Sequence, residues 1–397
     1  MKGALEGVRI LDLSRVAAGP YCTSLFGDMG AEVLKTEKRG KGDDFRPKRT
    51  TGSSFNIMFY NRNRNKYSLE IDFRSEKGRK LLQDIAAKSD LVVENYRAGT
   101  VRKMGLSDAE VEQINPGLVV VSISGFGQDG PLSHKTSYDP LAQMASGVTT
   151  MVGEAAGGPN LIGYIAGDMT AGLFGAIGGM AALICKERTG RGQRVDISML
   201  DVMASILVSS GVVAEYTLNG VRPKGNGNRD RFVCPSNTFM ASDRLLMIDC
   251  RTDEQFMALA ETMGRKEWAV EQGFTTNAAR LEQVEAVEGA VQEWTRGKTA
   301  EEVEQILAEA DVPCAVVRGA IEASEMPVAK ERELIRRMDF LDYPNAPITG
   351  VIGKLSKTTG GMFRRTPELG EHTDEVLKRV LGMSDEEIQT LHRENIV

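Results

Sequence analysis

The sequence predicts an α/β protein: a large domain on a parallel sheet over residues 1–222, a smaller α+β domain over 223–330, and a C-terminal segment, 331–397, returning to the large domain. Three observations carry this expectation. Short β-branched runs alternate with helical segments through the first half, which implies parallel pairing, right-handed crossovers and helices over both sheet faces. The pattern then changes at Val221-Arg222-Pro223-Lys224-Gly225-Asn226-Gly227-Asn228, a turn-rich stretch suited to a domain boundary. Finally, 397 residues with 41% apolar and 26% charged content can bury two ordinary cores.

Taken in order, Val8–Leu13 is the first strand, Ser14–Gly30 a loop and helix, and Ala31–Glu37 the second strand. Helix Ser75–Lys88 leads into strand Leu91–Glu94, and a further helical stretch ends at Asn115-Pro116-Gly117 before strand Leu118–Ile123. Met169–Cys185 is a charge-free run of 17 residues, rich in Gly and Ala. It lies at the lower end of the ~17–25 residues that span a bilayer, and it stands alone in a chain of mean hydropathy −0.24. A helix buried in a soluble core is therefore expected. The turn Arg188–Gln193 precedes strand Arg194–Ser198 and helix Leu200–Leu218. Past the boundary, Ser236–Ala241 and Arg244–Cys250 read as a hairpin around Ser242-Asp243. Helices Asp253–Met263, Glu282–Arg296 and Thr299–Ala310 and strand Cys314–Val317 complete the small domain. The large domain reads as Rossmann-like.

Composition excludes several classes. Five cysteines (Cys22, Cys185, Cys234, Cys250, Cys314) form no CxxC, which predicts reduced thiols and a cytoplasmic protein. With three histidines (His134, His372, His392) and no HExxH, no metal site is expected. MKGALEGVRILDL lacks the layout of a secretory signal, and the net charge of −6 argues against general nucleic-acid affinity. The forty-two glycines, about a tenth of the chain against a ~7% norm, favour close backbone packing and backbone approach to ligands.

The first βα junction, Ser14-Arg15-Val16-Ala17-Ala18-Gly19-Pro20, lacks the GxGxxG of a dinucleotide site. Glu37, at the end of the second strand, imitates the ribose-binding acid but by itself carries little. No GxxxxGK[ST] phosphate loop occurs. Between Lys35 and Lys66, ten basic residues face three acids, a local +7 that leaves −13 for the remainder. This segment reads either as a solvated basic face or as a site for a polyanionic small molecule, with an RNA surface as a third alternative. In Gly163-Tyr164-Ile165-Ala166-Gly167-Asp168-Met169-Thr170-Ala171-Gly172, Asp168 directly precedes the charge-free helix. It reads as a helix cap or, with glycines that admit a ligand, as a poorly hydrated carboxylate able to attack an activated acyl group.

Seven fragments fall in a recognisable order: Gly7–Leu13 with Ala18-Gly19-Pro20, Gly30–Lys35, Val93–Tyr96, Met104-Gly105-Leu106, Ser124–Gly127, Thr189–Asp196 and Gly370–Leu377. Together they resemble the family III CoA-transferases, which include formyl-CoA:oxalate, carnitine and aryl-acid CoA-transferases, along nearly the whole chain. The resemblance implies that Asp168 attacks an acyl-CoA thioester to give an aspartyl–acyl anhydride. The released thiolate then forms an aspartyl-CoA thioester, which the acceptor carboxylate attacks. Neither metal nor ATP is implied, and no cofactor beyond coenzyme A as substrate.

By the same resemblance, the CoA groove takes in Val16, Ala17 and Ala18 of the first loop and Lys38 at a phosphate. It also takes in Ile71, Asp72, Phe73 and Arg74 on the adenine side and Asn95, Tyr96, Arg97, Lys103 and Met104 on a second flank. Lys135, Thr136, Ser137 and Tyr138 fall near the thioester. An interlocked homodimer is implied, with an acyl-CoA and a free carboxylic acid as partners and neither nucleic acid nor membrane. The related α-methylacyl-CoA racemases pair the same aspartate with a histidine. Here the matching run is Ser137-Tyr138-Asp139, with His134 four residues early, so a racemase is the runner-up. A non-catalytic polyanion-binding protein is the alternative from another class. Ala17 stands where oxalate-specific enzymes carry glutamine, and Gly225-Asn226-Gly227-Asn228 is shorter than their glycine-rich lid, so oxalate is not the expected acceptor.

Overall fold

Six parallel strands form the central sheet of the protein, in a computed structural model that describes residues 3–47, 56–154, 157–270, 273–340 and 343–397. They are β1 (Arg9–Asp12), β2 (Glu32–Lys38), β3 (Lys66–Ile71), β4 (Leu91–Glu94), β5 (Val119–Ser124) and β6 (Arg194–Ser198). Their order, β3-β2-β1-β4-β5-β6, is that of a Rossmann sheet, whose direction of winding reverses between β1 and β4. The helices of this part are α1 (Ala18–Asp28), α2 (Ile57–Arg62), α3 (Glu76–Ala87), α4 (Asp108–Ile114), α5 (Asp139–Ser146), α6 (Ala166–Thr189), α7 (Met199–Ser209) and α8 (Val212–Asn219).

Both sheet faces are covered, and alternation along each strand divides the core. Ile10, Val33, Leu91, Val93, Val119 and Val121 pack with Cys22 and Phe26 of α1 and Ala171 and Ala176 of α6. Leu11, Leu34, Val92 and Val120 face the other way, onto Leu82 and Ile85 of α3 and onto Val376 and Leu377 of the helix Thr373–Leu381. Successive strand residues point to opposite faces, so strands buried on both sides read as continuous apolar runs.

The chain divides into two compact units. The first comprises residues 1–148, 161–218 and 327–397, and the second 149–160 and 219–326. Within the first lie a hairpin, Ile335–Phe340 with Tyr343–Thr349, and the helices Thr373–Leu381 and Asp385–Arg393. The second carries an antiparallel sheet of Ser236–Met240, Leu245–Asp249 and Cys314–Val316. Around its core Trp268 stacks between Phe256 and Phe274, at ring separations of 5.8 and 4.6 Å.

Four expectations need correction. The helix over Leu200–Leu218 is two helices: Gly211 takes φ +85 between α7 and α8, which bend by 57°. The helix over Glu282–Arg296 begins at Val284, after a separate turn of helix at Asn277–Glu282. The helix α6, which contains the charge-free run, is not buried all round. Ala171, Gly172, Gly175, Ala176, Gly179 and Ala182 face inward, whereas Leu173, Phe174, Ile177 and Ile184 are 41–57% exposed on the described chain. By length and composition α6 could cross a membrane, but its small-residue face is packed on α1 and β5.

The fourth correction concerns the basic segment, which is divided: Lys38, Arg39 and Lys41 keep side chains open to solvent, whereas much of the remaining charge is buried. Lys66 is fully buried, its Nζ donating to Asp12 Oδ2 (2.9 Å), Asn63 Oδ1 (2.9 Å) and Pro20 O (3.0 Å). Lys35, also fully buried, donates to Asp43 (3.0 Å) and Ser14 O (2.8 Å). Arg64 holds Asp28, and Arg46 grips both oxygens of Glu37 at 2.6 Å. Burial alone would raise the pKa of Asp12, but the charges of Lys66 and Lys35 outweigh it and hold the carboxyl below its usual range. Glu37 also accepts from Ser68 Oγ (2.8 Å) and Asp43 N (2.9 Å), so it is occupied and does not serve a ribose. Lys48 and Arg49 lie outside the described residues.

Candidate functional site

In an open Rossmann sheet the ligand crevice lies beyond the carboxyl ends of the strands where the winding reverses. Here that point falls between the loop after β1 and the loop after β4, and one side chain ties the two together. Asn95 Oδ1 accepts from Arg15 N (2.8 Å), and its Nδ2 donates to Arg15 O (2.7 Å). The next residue, Val16, takes φ +69, a strained value for a β-branched residue. Its N–H donates to Asp43 Oδ1 (3.1 Å). The loop is thus clamped between Asn95 and Asp43, and α1 starts at Ala18 with no side-chain cap.

Asp168 is the third residue of α6, within its first turn, rather than its N-cap as expected. The capping is done by Asp139, the first residue of α5 and 3% exposed. Its Oδ1 accepts from the N–H groups of Gly167 (2.6 Å) and Asp168 (3.1 Å). Gln143 Nε2 secures the other oxygen (2.6 Å), while Gln143 Oε1 accepts from Ile162 N (2.9 Å). A borrowed cap satisfies helix donors, so the Asp168 carboxylate is not the cap and accepts from the Ala18 N–H instead.

Burial, followed by the charge of Asp139, pushes the Asp168 pKa up to about 6, against the lowering influence of Arg62 and the Ala18 N–H. At neutral pH Asp168 is consequently ionised but poorly hydrated, the state that suits a nucleophile. Gly172, one turn along α6, lets α1 come close: a Cβ there would stand 2.7 Å from Ala18 O and 3.0 Å from the Tyr21 ring.

Asp168 lines two recesses. One is an open cleft of about 850 Å³ that also touches Arg15, Val16, Phe45, Tyr138 and Asp139. The other, about 120 Å³, brings Asp168 together with Val16, Ala18, Asn95, Tyr96, Arg97, Lys135, Thr136, Ser137 and Tyr138. The remaining sequence candidates lie elsewhere. Ala17, Ile71 and Met104 are buried in the core. Lys38, Arg74 and Lys103 expose their side chains, and Asp72 N donates to Ile396 O (2.8 Å) with Phe73 packed on the core. Tyr138, not His134, shares the recesses with Asp168. The sequence reading missed the part played by Asp139. Its signal was the Asp139-Pro140 pair, which starts a helix, but nothing local shows that the carboxylate serves a second helix 28 residues on.

The strand order and the crevice at its reversal define the class: a Rossmann-type α/β fold with its winding reversal between β1 and β4. The model of CoA-transferase family III matches residues 5–373, and the chain belongs to that family. It is 32% identical over 395 residues to the succinyl-CoA–D-citramalate CoA-transferase of Chloroflexus aurantiacus, covering 99% of this chain and 98% of that one. It is 34% identical over 390 residues to the succinyl-CoA:mesaconate CoA-transferase of Haloarcula marismortui (94% and 96% covered). To the formyl-CoA:oxalate CoA-transferase of a Bradyrhizobium species it is 30% identical over 413 residues (99% and 97% covered). Among solved structures, a CAIB/BAIF family protein from Brucella suis superposes with a TM-score of 0.83 at 30% identity, over 96% of this chain and 100% of that one.

Proposed function

We propose that the protein moves coenzyme A between carboxylic acids with Asp168 as the covalent carrier. The observation that supports this reading above others is the state of Asp168: a carboxylate with a pKa raised to about 6, lining both recesses at the sheet's reversal point. An Asp168 oxygen attacks the thioester carbonyl, the C–S bond breaks, and CoA leaves as thiolate with an aspartyl–acyl anhydride behind it. The thiolate attacks the Asp168 carbonyl carbon and expels the donor acid as its carboxylate, giving an aspartyl-CoA thioester. The acceptor carboxylate attacks that thioester, forming a second anhydride and releasing the thiolate again. Attack of the thiolate on the acceptor's acyl carbon gives the new acyl-CoA and restores the Asp168 carboxylate. The Ala18 N–H, which favours negative charge on Asp168, is placed to support developing charge as well.

In this proposal the thiol end of CoA runs along Val16, Ala18, Asn95–Arg97 and Lys135–Tyr138, and the exposed cations Lys38, Arg74 and Lys103 serve its phosphates. Lysine at positions 38 and 103 supplies charge without the bidentate fork of arginine. The apolar face of α6 is covered by a second copy of the chain, making a homodimer. The five free thiols suit a cytoplasmic protein. Acyl-CoA and free acid are the partners, with no cofactor beyond CoA itself. Exchange of labelled free acid into acyl-CoA tests the proposal: it should occur with the native protein and vanish in Asp168→Asn, while CoA still binds. Equal exchange in both proteins would overturn it.

A further inference from the structure

The three acids that interrupt the cations between Lys35 and Lys66 all act on the loop after β1. Asp44 pairs with the side chain of Arg15. Asp43 accepts from the N–H of the next residue, Val16, through Oδ1 (3.1 Å). Glu37, gripped by Arg46, accepts from the backbone N–H of Asp43 (2.9 Å) and so fixes Asp43 in turn. Asp43 is only 4% exposed, and its remaining contacts leave the carboxylate little freedom. Oδ1 also accepts from Phe45 N (2.9 Å), and Oδ2 accepts from Lys35 Nζ (3.0 Å). Burial would raise the Asp43 pKa, but the Lys35 charge and the N–H groups of Phe45 and Val16 outweigh it and hold the carboxyl below its usual range. Asp43 is therefore fully ionised wherever Asp168 titrates.

What Asp43 holds is strained. Val16 takes φ +69, a conformation open to glycine but disfavoured for a β-branched side chain. A strained residue persists only where its surroundings over-determine it, and a charge-assisted acceptor on its N–H does that here. The consequence falls two residues on. Ala17 precedes α1 at φ −131 and ψ −69 and supplies no side-chain cap to the first turn. The Ala18 N–H, one of the helix's orphan donors, bonds to Asp168. Its direction is set by the loop before it. Asp43, Val16 and Asp168 also line one open cleft.

Resting on the Asp168 reading, we infer that Asp43 is a positioning residue for the reaction: its carboxylate holds Val16 in the left-handed conformation and thereby aims the Ala18 N–H at Asp168. Lys35, from β2, keeps that carboxylate charged. Without the hold, Val16 relaxes toward negative φ and the Ala18 N–H turns away. The Asp168 carboxylate and the charge that develops on it during transfer then lose the same donor.

Release of CoA in the presence of hydroxylamine reads the first step, with the fastest of acetyl-, butyryl-, hexanoyl-, succinyl- and glutaryl-CoA as probe. In Asp43→Asn, kcat should fall about ten- to a hundredfold, as for a misplaced catalytic donor. KM for the probe should stay within about threefold, because the interaction lost belongs to the reacting centre. The acidic limb of kcat/KM should move above 6, since the N–H that favours ionised Asp168 is displaced. The other charges acting on Asp168, Asp139 of α5 and Arg62 of α2, are unchanged. Removing the Asp43 charge by itself would ease ionisation of Asp168, so the direction of the shift separates displacement from charge. Asp43→Asn leaves Lys35 buried without its acid; Lys35→Met combined with Asp43→Asn removes both charges and should move the limb the same way. In the Val16→Gly background the left-handed conformation carries no strain. There Asp43→Asn should cost kcat at most about threefold relative to Val16→Gly itself, the coupling expected of residues in contact.

Absence of release from all five thioesters in the native protein would remove the Asp168 reading and this inference with it. Native release combined with a limb that is unmoved or lowered in the Asp43 variants would overturn the role of Asp43 and leave the Asp168 reading standing. The full loss of kcat persisting in the Val16→Gly background would do the same.

Discussion

Asp139 caps the helix on which Asp168 sits, and by its charge it makes Asp168 harder to ionise. One oxygen of Asp139 receives the N–H groups of Gly167 and Asp168, and the same charge adds to burial in raising the Asp168 pKa to about 6. Scaffold and tuning are one interaction. Asp139→Asn keeps an oxygen for the helix N–H groups but removes the charge and the bond from Gln143. The acidic limb of the pH–rate profile should therefore move below 6, because Asp168 ionises more easily, and kcat at neutral pH should fall by about tenfold as the nucleophile becomes less basic. A pH series of kcat/KM checks this; an unmoved limb would remove Asp139 from the account.

Arg62 acts in the opposite sense. Its positive charge lowers the pKa of Asp168, so Arg62→Met should move the same limb above 6, with activity at pH 6 falling more than activity at pH 8. The two variants shifting in opposite directions is the distinguishing result, since simple loss of packing would reduce the rate without moving the limb. The measurement uses one thioester throughout.

Gly172 sets how near α1 lies to α6. In Gly172→Ala the new methyl group would stand 2.7 Å from Ala18 O, and backbone gives way less readily than a side chain. Overpacking of this kind costs about 1–3 kcal/mol, read as a lower denaturant midpoint. Displacement of the Ala18 N–H from Asp168 should lower kcat by about ten- to a hundredfold. Native activity in the variant would show that the close approach has no catalytic consequence.

The outer face of α6 tests the proposed dimer. Leu173, Phe174, Ile177 and Ile184 form a run of exposed apolar side chains, more than scattered surface hydrophobes supply. The native protein should sediment as a dimer at micromolar concentration, and Ile177→Glu should weaken the association by at least about tenfold, the cost of burying one unpaired charge. A native monomer would contradict the proposal.

Among the legible strands, β1, β4 and β5 stood out as apolar runs because strands buried on both faces have few polar side chains to interrupt them. The edge strand β6, Arg194–Ser198, is only partly buried and was marked by the turn before it. Strand β3 escaped because it opens on Lys66, whose charge is neutralised by Asp12 from 54 residues away. The hairpin at 335–349 escaped as well, since charged and proline residues interrupt it. Asp168 stood out because the helix behind it carries no other charge until Lys186. Arg62 did not, because a run of cations looks uniform in sequence. Only the fold shows that Lys35, Arg46, Arg64 and Lys66 have acids as partners and that Arg62 has none among the described residues. Asp139 was hidden for the same reason, its service to α6 being a long-range contact.

The central claim is that Asp168 becomes covalently acylated, and its raised pKa has a stability consequence that can be read in the same protein pair. Native Asp168 holds its proton up to about 6, whereas in the unfolded chain it is lost near the ordinary value of ~3.9. The native state thus binds more protons through that window, and stability falls as pH rises across it. Asp168→Asn should accordingly be more stable than the native protein by roughly 2–3 kcal/mol above pH ~6 and no more stable below pH ~4.

The most direct measurement is mass spectrometry of peptides after incubation with acyl-CoA and hydroxylamine. A hydroxamate on the peptide carrying Asp168, formed only when acyl-CoA is present and absent from Asp168→Asn, is the expected result. A hydroxamate on another residue, or CoA transfer that proceeds with Asp168 never modified, would contradict the account.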